Sequence, residues 1–482
     1  MHNELLFVPK NVQQFLKKTM DKYDKRLTYV HQSDTIFIQR NTFSSLIKEE
    51  NCMKKRIFAA ALAGVMALSL AACGGGSGAG SGSGGAAAST GVSITIFNTK
   101  SEIQDQFVEM SEQYEAETGV HVEVYYSNDT VAAHMATKYS SNDPYTISMV
   151  DAKDIYSLGP EHAIDVSDLD FIKNTNYAIS IDDKVLGVPF CVEARGVLYN
   201  ADAIKNITGE DFDPASVATL DDFKALLDKL VAGGMESPTG IMKEDWSLAA
   251  HYTAQIAEEQ PDVQGFINEL YAGSADLMNN EKFNSLMDTF DVLMAYNYAK
   301  DAPVSAEREV SEQKLAEGEI AFMFGGNWDW SMVNAYEYSE NMGMMPVPQN
   351  TSDGSNQKLV GGGSKYLFID NSDATTDEQR QAAKDFLTWL FTSENGNKFL
   401  TETCAVVPAF SNVNADALDP FSASVKAYAD AGNLIDNYNY FPDDHYSIIG
   451  ASVQKYLAGQ VDRAGFAAEV ENYWKSVTPV QQ

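Results

Sequence analysis

Between Val92 and Tyr126 the apolar residues change period twice, and that change limits the folds open to the chain. Ile94 and Ile96 alternate with Ser93 and Thr95, the two-residue period of a strand. Ile103, Phe107, Met110 and Tyr114 then recur at intervals of four, three and four, which is one face of a helix. Gly119 is placed to end that helix, and Val120, Val122, Val124 and Tyr126 alternate again. Strand, helix and strand in succession call for a right-handed crossover and a parallel sheet, so the class is α/β.

Later segments repeat the theme. Thr219 is placed to cap a helix whose stripe is Leu220, Phe223, Leu226, Leu227 and Leu230, closing at Gly233 and Gly234. Ala382, Ala383, Phe386, Leu387, Leu390 and Phe391 make another stripe, and Ile320–Phe324 reads as a buried strand running into Gly325 and Gly326. A chain of 482 residues exceeds one ordinary core, so two domains or lobes are expected. No repeat of 20–50 residues is visible.

The N-terminal region carries an address. Met53-Lys-Lys-Arg precedes the uncharged run Ile57–Ala72, which is shorter than the about 20 residues a membrane-spanning helix needs. A basic start, an apolar middle and a small-residue end are the parts of a secretory signal. The end, Leu70-Ala71-Ala72-Cys73, resembles the lipobox of bacterial lipoproteins, in which the cysteine receives a diacylglyceryl group and becomes the new N-terminus. The competing reading is a signal anchor with an accidental cysteine. Residues 53–72 are therefore expected to be a lipoprotein signal peptide. Residues 73–90 are expected to be the lipidated Cys73 and a flexible Gly/Ala/Ser tether. Residues 1–52 are either a short extension or lie upstream of a true start at Met53.

Acidic residues number 68 against 34 basic, a net charge of −34. Such a surface repels nucleic acid and anionic lipid, so neither is an expected partner. Enzyme signatures are missing: the sequence has no G-x-x-x-x-G-K-[ST], no H-E-x-x-H and no G-x-S-x-G. His121, His134, His162, His251 and His445 form no pair at metal-ligand spacing. Cys191 and Cys404 could pair in an exported protein or remain two small buried thiols. No enzyme activity, cofactor or metal is expected.

Five blocks in order, covering roughly Val92 to Val477, resemble the extracellular solute-binding proteins of the maltose-binding type. They are VSITIFNTKSEIQDQFVEMSEQYEAETGVHVEV, SNDPYTISMVDAKDIYSLGPEHAIDVSDL, VLGVPFCVEARGVLYNADAI, LAEGEIAFMFGGNWDW and AAKDFLTWLFTSENGNKFLTETCAVVPAF. One departure is Asn327, which stands where that family usually has proline. The resemblance implies a two-lobed periplasmic-binding-protein-like fold of type II with a ligand cleft between the lobes. One lobe would take about 91–194 and 346–402, the other about 195–345 and 403–482. It also implies a monomer that captures a sugar and passes it to the permease subunits of an ABC importer, touching the membrane only through its lipid. A surface receptor or adhesin, or the same fold binding a polyamine, peptide or anion, are the alternatives.

Sugars present hydroxyl rims and apolar C–H faces, so carboxylates, amides and aromatic planes are the residue types to find. Trp328 follows a buried strand and two glycines and matches the family's stacking tryptophan; Trp330, two residues on, is expected in the core. Glu193 matches a ligand-bonding residue, the alternative being an ion pair with Arg195. Asp151, after the apolar run Ile147–Val150, fits a cleft carboxylate and a helix N-cap equally, with Lys153 a weaker candidate. Trp246 and Tyr446 match cleft aromatics, with core packing the alternative. Lys100 and Glu102 lie in the first strand-to-helix loop, and Gly361–Gly363 resembles a flexible loop near the cleft. Trp389 and Trp474 lie on helix stripes and are expected in the core.

Overall fold

The computed structural model describes residues 90–480 except 128, 416, 417 and 443, together with four two-residue strands among residues 1–39. The chain divides into two units, Met1–Gly84 and Gly85–Gln482. In the first, Leu5–Leu6 pairs antiparallel with Ile38–Gln39, and His31–Gln32 with Thr35–Ile36. The expected signal peptide, residues 53–72, and residues 73–89 of the expected lipidated tether lie outside the described residues. All that follows concerns the second unit.

Its sheet has eleven strands: β1 (Ser93–Phe97), β2 (His121–Tyr125), β3 (Ile147–Val150), β4 (Ile179–Ile181), β5 (Lys184–Asn200), β6 (Thr239–Gly240), β7 (Phe322–Gly326), β8 (Met342–Met345), β9 (Leu359–Ile369), β10 (Val407–Pro408) and β11 (Leu434–Ile435). The main path runs β6-β7-β5-β9-β3-β1-β2. β1 pairs in parallel with β2 and β3, as the opening period change predicts, and the helix Gln104–Thr118 joins β1 to β2. Gly119 ends that helix at φ 77°, a left-handed conformation that costs glycine little.

The sheet as a whole is mixed rather than parallel. β9 is antiparallel to both β3 and β5, and β5 is antiparallel to β7 and β8. The reason is the unusual length of β5, seventeen residues. Its first half pairs with β9 beside β3, with Val188 opposite Leu367. Its second half pairs with β7 and β8, with Tyr199 opposite Phe322 and Gly343. One strand thus serves both ends of the sheet.

Gly361–Gly363 is a second correction. These residues form no loop; they lie inside β9, opposite Ala194, Glu193 and Val192. The physical reason is close approach. A Cβ on Gly361 would fall 2.4 Å from the Glu193 carbonyl oxygen, and one on Gly363 would fall 2.3 Å from the Tyr366 hydroxyl.

One core gathers Ile94, Phe107, Met149, Phe190, Leu367 and Phe386; a second gathers Val197, Phe223, Leu227, Phe290, Phe322 and Trp474. In the helix Leu220–Ala232, Thr219 and Asp222 form a capping box. Leu220, Phe223, Leu227 and Leu230 are buried, each contributing about 1.5–3 kcal/mol. Trp474 is 2% exposed and Trp330 8% exposed, both core as expected. Trp389 packs on the first core but keeps a rim position, its indole N–H donating to Glu117. Cys191 and Cys404 are both free thiols.

Candidate functional site

Charged side chains collect where β5 and β9 run together. Asn98, just past β1, shapes the first loop by accepting the Lys100 N–H at 2.8 Å and donating to the Lys100 carbonyl at 3.0 Å. This turn drives the Lys100 ammonium inward, where it donates to Glu102 at 2.5 Å and Glu193 at 2.6 Å. Glu193 also accepts from the Ser364 hydroxyl on the facing strand. The next residue, Lys365, has φ 49°, unusual for a non-glycine side chain, and its ammonium reaches Asp151 at 2.6 Å. Strained backbone of this kind concentrates at functional sites.

Burial opposes charge at Lys100, Glu102, Asp151 and Lys365, and pairing overrides it. At Lys100 the carboxylates of Glu193 and Glu102 outweigh desolvation and hold the ammonium pKa well above the ordinary lysine value. Desolvation is likewise outweighed at Glu102 by Lys100 and at Asp151 by Lys365, leaving both carboxyls below the usual range. Lys365 is raised, Asp151 overcoming its burial.

A second group is aromatic. Trp246 opens a π-helix, Trp246–Thr253, in which hydrogen bonds span five residues. In an α-helix, residues five apart point about 140° from each other. The wider turn brings Trp246 and His251 onto one side, ring centroids 5.2 Å apart. His251 in turn lies 4.8 Å from Trp328, tilted 46°. Arg308 stacks over Trp246 at 4.5 Å and grips the Asp329 carboxylate at 2.8 and 3.0 Å. Asp329 also accepts the Gly326 N–H at 2.9 Å, which folds the chain back so that Trp328 lies over Gly326. Behind the rings, Arg195 donates to the His251 carbonyl at 3.1 Å and to Asn437 at 2.6 Å, and pairs with buried Glu258. Desolvation, then the charges of Arg195, Arg308 and Lys365, push the His251 pKa well below its ordinary value, so the ring is neutral. Glu193 and Arg195 stand two residues apart on β5, and Arg195 bonds the His251 carbonyl, so one strand links the charged and aromatic groups.

Of the residues singled out in the sequence, Lys100, Glu102, Glu193 and Asp151 meet in the charged group, and Trp246 and Trp328 in the aromatic one. Glu193 pairs with Lys100 rather than Arg195. Asp151 is the N-cap residue of the helix Ala152–His162, and its carboxylate pairs with Lys365. Lys153 lies 3.6 Å from Asp154 instead. Tyr446 sits in the helix His445–Leu457 and packs against the second core; among the described residues no ring contact joins it to Trp246 or Trp328. Sequence reasoning missed Lys365, His251 and Arg308. It also missed the Tyr156–Tyr440 ring pair, with centroids 4.6 Å apart. For Lys365 the signal was a lysine two residues after a glycine run inside a strand. For His251 it was a five-residue spacing from Trp246, visible only to someone expecting a π-helix.

Solved structures with the same course of chain are two-lobed solute-binding proteins. One, RafE in complex with raffinose, matches with a TM-score of 0.66 at 19% identity, over 80% of this chain and 99% of that one. A sugar transporter protein from Bacillus licheniformis in complex with stachyose matches at 0.60 and 19%, over 80% and 99%. A family 1 extracellular solute-binding protein from Bifidobacterium longum subsp. infantis matches at 0.57 and 20%, over 81% and 100%. The fold is therefore the two-lobed type expected from the sequence. The family model for bacterial extracellular solute-binding proteins matches residues 109–433, and the chain belongs to that family. No curated protein matches it in sequence.

Proposed function

We propose that this protein captures a neutral sugar or oligosaccharide between its lobes, held outside the membrane by lipid on Cys73, and delivers it as a monomer to an ABC permease. One observation carries the choice of a neutral solute: each cation of the site already has a carboxylate. Lys100 has Glu193 at 2.6 Å, Lys365 has Asp151 at 2.6 Å, Arg308 has Asp329 at 2.8 Å, and Arg195 has Glu258. An anion would have to break such a pair, and a polyamine would have to displace a lysine or arginine, at the cost of leaving a buried charge unpaired. Hydroxyls can instead bond to paired groups without separating them. The raffinose and stachyose complexes of the structural relatives support the same choice. In this reading the lobes are about 91–194 with 346–402 and about 195–345 with 403–482, and Lys100, Glu102, Asp151, Glu193, Trp246, Trp328 and Tyr446 line the cleft.

A thermal-shift screen tests it. Raffinose, stachyose, mannotriose and chitin oligosaccharides are set beside spermidine, glucuronate and short peptides. A neutral saccharide at a hundred times its Kd stabilises the fold by about 2.7 kcal/mol and raises Tm accordingly. A shift with spermidine, glucuronate or peptide alone contradicts the reading. For the anchor, mass spectrometry of membrane-fraction protein is expected to show a lipid-bearing N-terminus at Cys73, and an uncleaved leader there contradicts it.

A further inference from the structure

Two buried polar atoms among the rings have no hydrogen-bond partner among the described residues: the indole Nε1 of Trp328 and the Nδ1 of His251. They belong to rings whose centroids are 4.8 Å apart. An oxygen that bridges two such nitrogens lies about 2.7–3.2 Å from each. An unpaired buried donor or acceptor is costly, and two on neighbouring rings are rare in a folded interior.

We infer that Trp328 and His251 together read a single hydroxyl of the solute, and that Trp328 contributes its N–H as well as its ring face. The inference rests on the neutral-sugar reading and deepens it. The indole can only donate. His251 is neutral, being buried and next to the cations Arg195, Arg308 and Lys365, so in the tautomer that carries its hydrogen on Nε2 the Nδ1 accepts. A group meeting both must accept one hydrogen bond and give one, which a hydroxyl does and a carboxylate or ammonium does not. Local structure aims the pair. Gly326 lets the indole lie against the strand, since a Cβ there would fall 2.2–2.5 Å from three of its ring carbons. The π-turn brings His251 up from Trp246. Both nitrogens are shut from solvent in this conformation, so the hydroxyl enters as the lobes part and is enclosed as they close.

The test is a double-mutant cycle by calorimetric titration on the whole protein, using raffinose, stachyose and mannotriose in turn. Trp328→Phe and His251→Phe keep a ring and remove the nitrogen. Each is expected to weaken binding about three- to tenfold, the range for one lost hydrogen bond. Because both nitrogens serve one hydroxyl, the loss in the double variant is expected to depart from the sum of the single losses. His251→Asn, whose amide reaches the position of Nδ1, retains affinity within about threefold of the unmutated protein. Melting curves on the same samples show whether each variant is folded. Unchanged affinity for a bound saccharide in both single variants overturns the inference and leaves the sugar reading standing. Full additivity in the double variant overturns the shared hydroxyl. If no neutral saccharide binds the unmutated protein, the sugar reading falls and this inference falls with it.

Discussion

Two adjacent glycines show how closely single residues control the aromatic group. A Cβ on Gly325 would fall 2.1 Å from the Asp329 carboxylate, and a Cβ on Gly326 would overlap the Trp328 ring. Neither glycine has positive φ in this structure; what they supply is room. Gly326→Ala is expected to push Trp328 aside, quenching or shifting its fluorescence and weakening saccharide binding, while Gly240→Ala in β6 leaves the fluorescence unchanged. Glu312 offers a second residue-scale prediction. Burial first, then the neighbouring Asp329, push its carboxyl pKa up to about 9. The folded state therefore keeps a proton that the unfolded chain releases near the ordinary glutamate value. The contribution is fully present below about pH 4.5 and is lost as pH rises toward 9. Glu312→Gln, which cannot ionise, is expected to flatten the fall in Tm across that window. An identical slope in the variant would mean that Glu312 is ionised in the fold.

At the scale of elements, the departure at Asn327 acquires a role. Its side-chain oxygen accepts the N–H of buried Ala194 at 3.0 Å, extending the β5–β7 pairing one step past Gly326 and Arg195. Asn327→Ala leaves that N–H unpaired and is expected to cost about 1–3 kcal/mol in denaturant unfolding. A change within experimental error would assign Ala194 another partner. The strands and helices of the opening crossover were legible because each buries one face, so their periods are written in apolar residues. Glu193 and Trp328 were singled out through a resemblance between blocks, and Lys100 through its place in the first strand-to-helix loop. The π-helix at Trp246 and the inward turn of Lys365 were not legible: both depend on local backbone geometry that leaves the hydrophobic pattern unchanged. The glycines of β9 misled for the same reason, since glycine marks a loop and a close strand contact with one letter.

Across the whole molecule, β5 and β9 are continuous strands joining the halves of the sheet, and the Tyr156–Tyr440 contact spans the helix Ala152–His162 and the segment after β11. We propose that these strands bend as the lobes close, because a solute that touches both lobes favours the closed state by its difference in affinity. Small-angle scattering is expected to show a modest fall in radius of gyration on saturation with a bound saccharide. An unchanged radius would point to a receptor that is already closed. The most direct test of the proposed site is calorimetric titration of Trp328→Ala beside Trp389→Ala, with the saccharide giving the largest thermal shift. Trp328→Ala is expected to bind about five- to thirtyfold more weakly, equivalent to about 1–2 kcal/mol, with Tm little changed. Trp389→Ala, which loses packing on Tyr114 and Phe386, is expected to melt early and bind normally. Normal binding with early melting in Trp328→Ala would contradict the account and place the solute elsewhere.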